Sequence, residues 1–298
     1  MAASLYRRAG GGQRGLERHA VPVHDRGMKT LVKPVAATLL AAFLALPAMA
    51  QEIAAPDLDT LPAADVWFLG EVHDNAAHHL GQARAVAALA PKALVFEMVG
   101  PEPGDLPAFD DAAALADALN WGEGWPDFAL YHPIFLAAPD ARIYGAEVPR
   151  ERARRAFSEG AAAVFGPEAG RYGLDTPLAP GDQAARVEEQ FAAHCGAMPR
   201  EMMTGMVEAQ RLRDASLAEA AARAYAETGG PVAVITGNGH ARRDHGAPAL
   251  LAGAAPELRI LTLGQIERGG EAPEAPPYDL WLLTEPAPRE DPCAGLKG

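Results

Sequence analysis

The sequence predicts an α/β fold with three layers, a mainly parallel central sheet and a helical cap inserted late in the chain. Three observations carry that expectation. Short apolar runs recur at Val66 to Leu69, Ala93 to Met98, Arg142 to Ala146, 231 to 236 and 258 to 263. Most are unbroken by polar residues, which is how a strand reads when helices cover both of its faces. Helix-forming stretches separate the runs, and strand–helix–strand alternation implies parallel pairing with right-handed crossovers. The stretch from about 149 to 228 is too long for a simple crossover, so it is expected to lie beside the sheet as a cap.

In chain order, residues 51–64 are rich in Pro, Asp and Ala and read as an extended leader to a main domain over 65–266. The first strand breaks at Gly70 and leads to Asn75, a good helix N-cap. The helix that follows runs to about Ala90, where Pro91 stops it. Leu80, Ala83, Val86, Ala87 and Ala90 give it an apolar stripe, and one of His78 and His79 is expected to face solvent. The second strand closes with Glu97 and Met98. A Pro/Gly/Asp loop, a short Ala-rich helix at about 110–119 and an aromatic loop-then-helix from Trp121 to Leu136 lead to the third strand, with Glu147 just beyond it. Residues 151–179 look irregular with local helix. Two longer helices, 182–195 and 199–227, are separated at Gly196 and Pro199. A helix near 246–254 joins the fourth and fifth strands. Residues 267–298 hold a Gly/Glu/Pro linker, a final strand from Tyr278 to Leu283, and a tail expected to be loose after Pro286 apart from Cys293.

The N-terminal residues are of another kind. Lys29 to Ala50 reads as a basic region, an apolar Ala/Leu segment and a small-residue cleavage site, so residues 28–50 have the pattern of a secretory signal peptide. Met28 is then the natural start, and residues 1–27 are either a mis-assigned extension or a disordered one. The apolar segment is short for a membrane span, and no Cys follows the cleavage site to take a lipid anchor. The expected location is periplasmic or secreted, in soluble form. The chain carries 26 basic and 39 acidic residues, a net charge of −13. Losing residues 1–50 removes seven basic side chains and only two acidic ones, so the remainder is more acidic still. Such charge argues against nucleic acid and anionic lipid as partners. Cys195 and Cys293 are either a disulfide, as an oxidising compartment permits, or two buried thiols.

Two turns share one pattern. Gly70-Glu71-Val72-His73 and Gly237-Asn238-Gly239-His240 each end an apolar run and deliver a His three residues after the Gly. Ligands of open parallel sheets bind at the carboxyl ends of the strands, so the two turns bring His73 and His240 toward one site. Glu71 and Glu97 suit general acid–base work, or they join the two His around a divalent metal. The plainer alternative has His73 bonding its own turn and Glu71 capping the next helix. Glu147 ends a strand on the same edge. Arg242 and Arg243 suit a propionate or other carboxylate, and His245 either assists His240 or begins a helix. No H-E-x-x-H is present, which excludes the common zinc-protease helix.

With Glu97 closing the second strand, Gly70-Glu71-Val72-His73-Asp74 and Ile235-Thr236-Gly237-Asn238-Gly239-His240-Ala241-Arg242 resemble the ChaN-like haem-binding uptake proteins of the Tiki/TraB/erythromycin-esterase-like superfamily. The resemblance spans about Val66 to Gln265. It implies a ChaN-like α/β fold and haem binding, by a homodimer that holds haem between subunits. Glu71, His73, Glu97 and His240 are the positions that match. The haem ligand is associated in the family with a Tyr, which has no clear counterpart here. Haem iron accepts Tyr, His, Met or Cys. Tyr131, Tyr144, Tyr172, Tyr225 and Tyr278 are available. Tyr131 lies in the aromatic segment; alternatively it packs with Phe135 as a helical i, i+4 pair. His194 with Met198, Met202, Met203 and Met206 offers a second surface, or simply a helix core.

The expected function is therefore non-covalent haem binding in iron uptake, at a strand-end cleft bearing His73, His240 and Tyr131, with Arg242 and Arg243 near the propionates. The alternative is a metal-dependent hydrolase of peptidase or esterase type, with His73, His240, Glu71 and Glu97 around a divalent ion and a glutamate as base. A third is an interaction protein in which the turns are anchors only.

Overall fold

The computed structural model describes residues 50–122, 124–269, 275–291 and 293–294. The extension and signal-peptide segments, Ala50 excepted, lie outside the described residues. Seven strands pair in one all-parallel sheet: β1 (Gln51–Glu52), β2 (Val66–Glu71), β3 (Ala93–Phe96), β4 (Arg142–Gly145), β5 (Val232–Gly237), β6 (Ile260–Glu267) and β7 (Leu280–Thr284). Their order across the sheet is β1-β7-β6-β2-β5-β3-β4. The helices are α1 (Ala76–Leu89), α2 (Ala112–Ala118), α3 (Phe128–Ala137), α4 (Arg150–Glu159), α5 (Ala161–Phe165), α6 (Pro180–Ala193), α7 (Arg200–Thr228) and α8 (Ala247–Ala254).

The apolar runs are continuous because both sheet faces are covered. Side chains alternate along a strand. Trp67, Leu69, Leu94, Phe96 and Ile235 face a layer holding α1 and α3, where Phe135 stacks on Phe96 at 4.4 Å between ring centroids. Val66, Phe68, Val95, Val232 and Val234 face α7 and α8. Each such large side chain, fully withdrawn from water, contributes roughly 1.5–3 kcal/mol. α7 lies close to the sheet because its inner face is small: Ala215, Ala218, Ala221 and Ala224 are all completely buried. The inserted helices thus divide, with α7 forming a layer of the sandwich and α4, α5 and α6 packed on α7. No helix among the described residues is long and apolar enough to cross a membrane.

Several local expectations need correction. The leader is not merely extended, since β1 pairs with β7 and Leu58, in a 3-10 turn over Ala55–Thr60, is buried. β3 stops at Phe96, which leaves Glu97 in the turn beyond it. On α1 neither His faces water: His78 and His79 are both wholly buried, while Leu80 is 62% exposed. The inward face of that helix is a polar stripe of His78, His79 and Gln82, continuing the spacing of the cap Asn75, which accepts from the Ala77 amide at 3.0 Å. The tail is tied down: Arg289 donates to both Asp74 and Glu267, and Cys293 is disulfide-bonded to Cys195.

Candidate functional site

Register builds the site. β2 and β5 are neighbours, with Gly70 opposite Thr236 and Glu71 opposite Gly237, so both Gly-x-x-His turns leave the same edge side by side. β3 lies on the far side of β5, with Phe96 opposite Ile235, and this delivers Glu97 to the same edge. The turns are fixed by side-chain amides and an imidazole. Gln82 donates to the Leu69 carbonyl and Gln265 to the Gly70 carbonyl, at 2.9 and 2.8 Å. The Val72 amide donates to His78 Nδ1 at 2.8 Å. Gly237 lets His73 lie close to β5, since a Cβ there would meet His73 Nε2 at 3.0 Å, tighter than ordinary contact.

Two side-chain chains result. In the first, the Tyr131 hydroxyl donates to Glu71 Oε1 at 2.6 Å, and the same oxygen holds His73 Nδ1 at 2.7 Å. His79 donates through Nε2 to the His73 carbonyl at 2.9 Å and places Nδ1 3.4 Å from Glu71 Oε2. That approach is too oblique for a hydrogen bond, so both atoms are buried without one. In the second, His240 Nδ1 meets Asp214 Oδ1 at 2.6 Å, and its Nε2 lies 3.5 Å from Glu97 Oε1. The other Glu97 oxygen accepts from Thr236 Oγ1 at 2.6 Å and the Gly237 amide at 2.8 Å. His73 and His240 thus each have Nδ1 oriented by a carboxylate, as imidazoles that bind metals commonly do, with Nε2 of His73 beside Gly237 and Nε2 of His240 facing Glu97.

Charge is concentrated here. Burial opposes ionisation of Glu71, but the hydrogen bond from His73 and the charge of His73 and His79 outweigh it and hold the carboxyl at about 2. Burial likewise opposes protonation of His73, yet Glu71 and Glu97 raise it to about 9. His240 is raised for the same reason, burial being outweighed by Glu97 and Asp214. Burial, reinforced by Glu71, pushes the Tyr131 phenol far above its usual range, so it stays protonated as a donor.

The predicted site residues are not all brought together. Glu71, His73, Glu97, His240 and Tyr131 converge. Tyr131 is wholly buried behind Glu71, its ring tilted against that of His79 at 4.2 Å between centroids, and it does not line the cleft. His73 is the most open of the five, with 37% of its side chain exposed and its ring 5.3 Å from that of Trp125. Arg242 is bound by Asp244 and Glu189 in a cavity of about 120 Å3 beside His240, which His245 also lines. Arg243 turns toward Asp279 instead. Among the described residues no group of three or more His, Cys, Asp or Glu is placed to hold a metal ion. A cleft of about 210 Å3 opens between Glu97 and Trp125, with Glu147, Arg150 and Arg213 around it. A larger cavity, about 700 Å3, lies elsewhere, between loop 101–109 and β4, and none of the five converging residues lines it.

The family model for haem-binding uptake proteins of the Tiki superfamily, ChaN, matches residues 58–251. The chain belongs to that family. A solved structure of ChaN from Campylobacter jejuni with cofacially bound haem shares the fold, at a TM-score of 0.56 and 19% identity over 73% of this chain and 86% of that one. A type III effector (TM-score 0.38, 14% identity, 74% and 88% covered) and an erythromycin esterase in its open conformation (0.35, 12%, 72% and 74%) are more distant likenesses. No curated protein matches the chain.

Within this ChaN-family chain, sequence reasoning missed Asp214, His79, Arg150 and Arg213. Asp214 sits mid-helix on α7, 26 residues before His240, where nothing local marks it. His79 had a signal: Asn75, His78, His79 and Gln82 repeat at i, i+3, i+4 and i+7, a polar stripe at helical spacing.

Proposed function

We propose that this chain is a periplasmic haem-binding protein of iron uptake, holding haem non-covalently at the strand-end cleft with His73 as the protein ligand. The observation that carries this reading is the state of His73. Its Nδ1 is committed to Glu71, its side chain is 37% exposed against 12% for His240, and its ring packs against Trp125, which lines the cleft. A carboxylate on Nδ1 fixes the ring and raises its basicity, so Nε2 becomes a strong donor once a metal displaces its proton. The donor set therefore fits a haem, whose iron takes a His axial ligand. Haem bound there would supply iron in a form the chain can carry. The chain's own residues orient it: Tyr131 and His79 hold Glu71, Glu71 holds His73, and Trp125 offers an apolar surface.

His240 and Glu97 form the inner wall, with Asp214 holding His240. The hydrolase alternative has less support, because Glu97 is already committed to Thr236 and Gly237 and Glu71 lies buried behind His73. An exported location is supported by the signal-peptide pattern and by the Cys195–Cys293 disulfide, which belongs to oxidising compartments. The homodimer implied by resemblance is part of the proposal, and sedimentation with and without haemin tests it. Haemin titrated into the purified protein is expected to give a saturable, shifted Soret band. A spectrum that remains that of free haemin at every ratio sinks the reading.

A further inference from the structure

In so acidic a chain, an unpaired cation is informative. Several arginines near the functional edge are neutralised: Arg242 by Asp244 and Glu189, Arg289 by Asp74 and Glu267, Arg211 by Glu208. Arg150 and Arg213 are different. Among the described residues neither has an acidic group within ion-pair distance, and neither guanidinium makes a hydrogen bond. They come from separate elements, the first residue of α4 and the middle of α7, yet both line the same two cavities.

One cavity is the 210 Å3 cleft beside Glu97 and Trp125. The other, about 260 Å3, is a groove walled by Ala153, Phe157, Met206 and Ala209, with Arg154 at its rim. The two arginines stand where cleft and groove meet. A guanidinium left unpaired beside an apolar groove is a ready partner for a carboxylate, which it can grip through two parallel N–H donors. Glu147 and Glu97 line the cleft side and repel anions there, so a carboxylate is held at the boundary and not drawn deeper.

We propose that Arg150 and Arg213 form a carboxylate clamp that selects a flat, largely apolar molecule bearing paired carboxylates, so that a porphyrin is recognised by its propionates whether or not it carries iron. This rests on the haem reading for the identity of the ligand, but it assigns the propionate role to Arg150 and Arg213 in place of Arg242 and Arg243. The division of labour is then simple. His73 answers to the metal, the clamp answers to the carboxylates, and the Phe157–Met206 groove takes apolar surface.

The test uses iron-free protoporphyrin IX and its dimethyl ester, each titrated into the full chain and followed by porphyrin fluorescence. The diacid is expected to bind, and the ester to bind at least roughly tenfold more weakly. Arg150→Gln with Arg213→Gln is expected to lower diacid affinity by about the same factor while leaving the ester unchanged. Raised salt is expected to weaken the diacid alone, which provides a readout in the unaltered protein. Equal binding of diacid and ester, or an unaltered diacid affinity in the folded double variant, overturns the clamp. The two claims fail separately. A normal haemin Soret shift with no effect of the arginines removes the clamp and leaves the haem reading. Arginine-dependent binding of the diacid with no haemin Soret shift does the reverse.

Discussion

Glu71 is the residue on which the first half of the site depends. It is wholly enclosed, shares one oxygen between Tyr131 and His73, and keeps its charge because His73 and His79 face it. Removing one hydroxyl donor from a buried carboxylate costs about 1–3 kcal/mol. Tyr131→Phe is therefore expected to lower unfolding free energy by that amount in urea titration, with little change of fold. An unchanged midpoint would mean that the bond contributes nothing. His78 makes the other residue-scale prediction. Its Nδ1 accepts the Val72 amide and its Nε2 meets Thr284 Oγ1 at 2.6 Å, so the ring is held neutral. Burial lowers its pKa from 6.5 to about 4. A depressed His gives stability that is full above pH 6.5 and fades as pH falls toward 4, by on the order of 3 kcal/mol. Denaturation curves between pH 7 and 4 are expected to show that loss, and His78→Asn to reduce it. Identical pH slopes for the two proteins would contradict the account.

At the scale of elements, the C-terminal tail is a strap across the carboxyl edge. The Glu285 carbonyl accepts from Asn75, Ala287 and Arg289 both donate to Glu267, and Cys293 is joined to Cys195 beyond the end of α6. Partial burial works against the Glu267 charge, but Arg289, the Ala287 amide and Asn75 hold its carboxyl at about 2. A carboxyl with a depressed pKa keeps its contribution above about pH 4.5 and loses it as pH falls toward 2. The disulfide closes a long loop and contributes about 2–4 kcal/mol. Cleavage of the tail by added protease is expected to rise on reduction, and to rise further in Glu267→Gln; resistance under both conditions would show that the strap is held by something else. This strap was not legible in the sequence, where Pro286 onward carries no periodicity and the partners Asp74 and Glu267 are far away in the chain. The strands were legible, because burial on both faces leaves unbroken apolar runs. So was Asn75 as a cap. The inward face of α1 was misread because the usual rule assigns polar residues to water, and here the face abuts the polar end of a sheet.

At the scale of the whole molecule, parallel pairing of β2 with β5 and β3 converts three separate sequence positions into one edge. That convergence was legible from the two Gly-x-x-His turns once a parallel sheet was inferred. What α7 and α4 add from outside the strands, Asp214, Arg213 and Arg150, was not, since only the three-dimensional packing of the inserted helices on the sheet brings them there. Family membership and shared fold make haem the ligand to test, and the arrangement of this chain's own residues makes His73 the group to alter. The most direct measurement is a haemin titration of the unaltered protein beside His73→Ala, read at the Soret band. The account predicts a saturable shift in the first, and in the second a changed band with affinity lower by roughly tenfold or more. The same band and the same affinity in both proteins would contradict it.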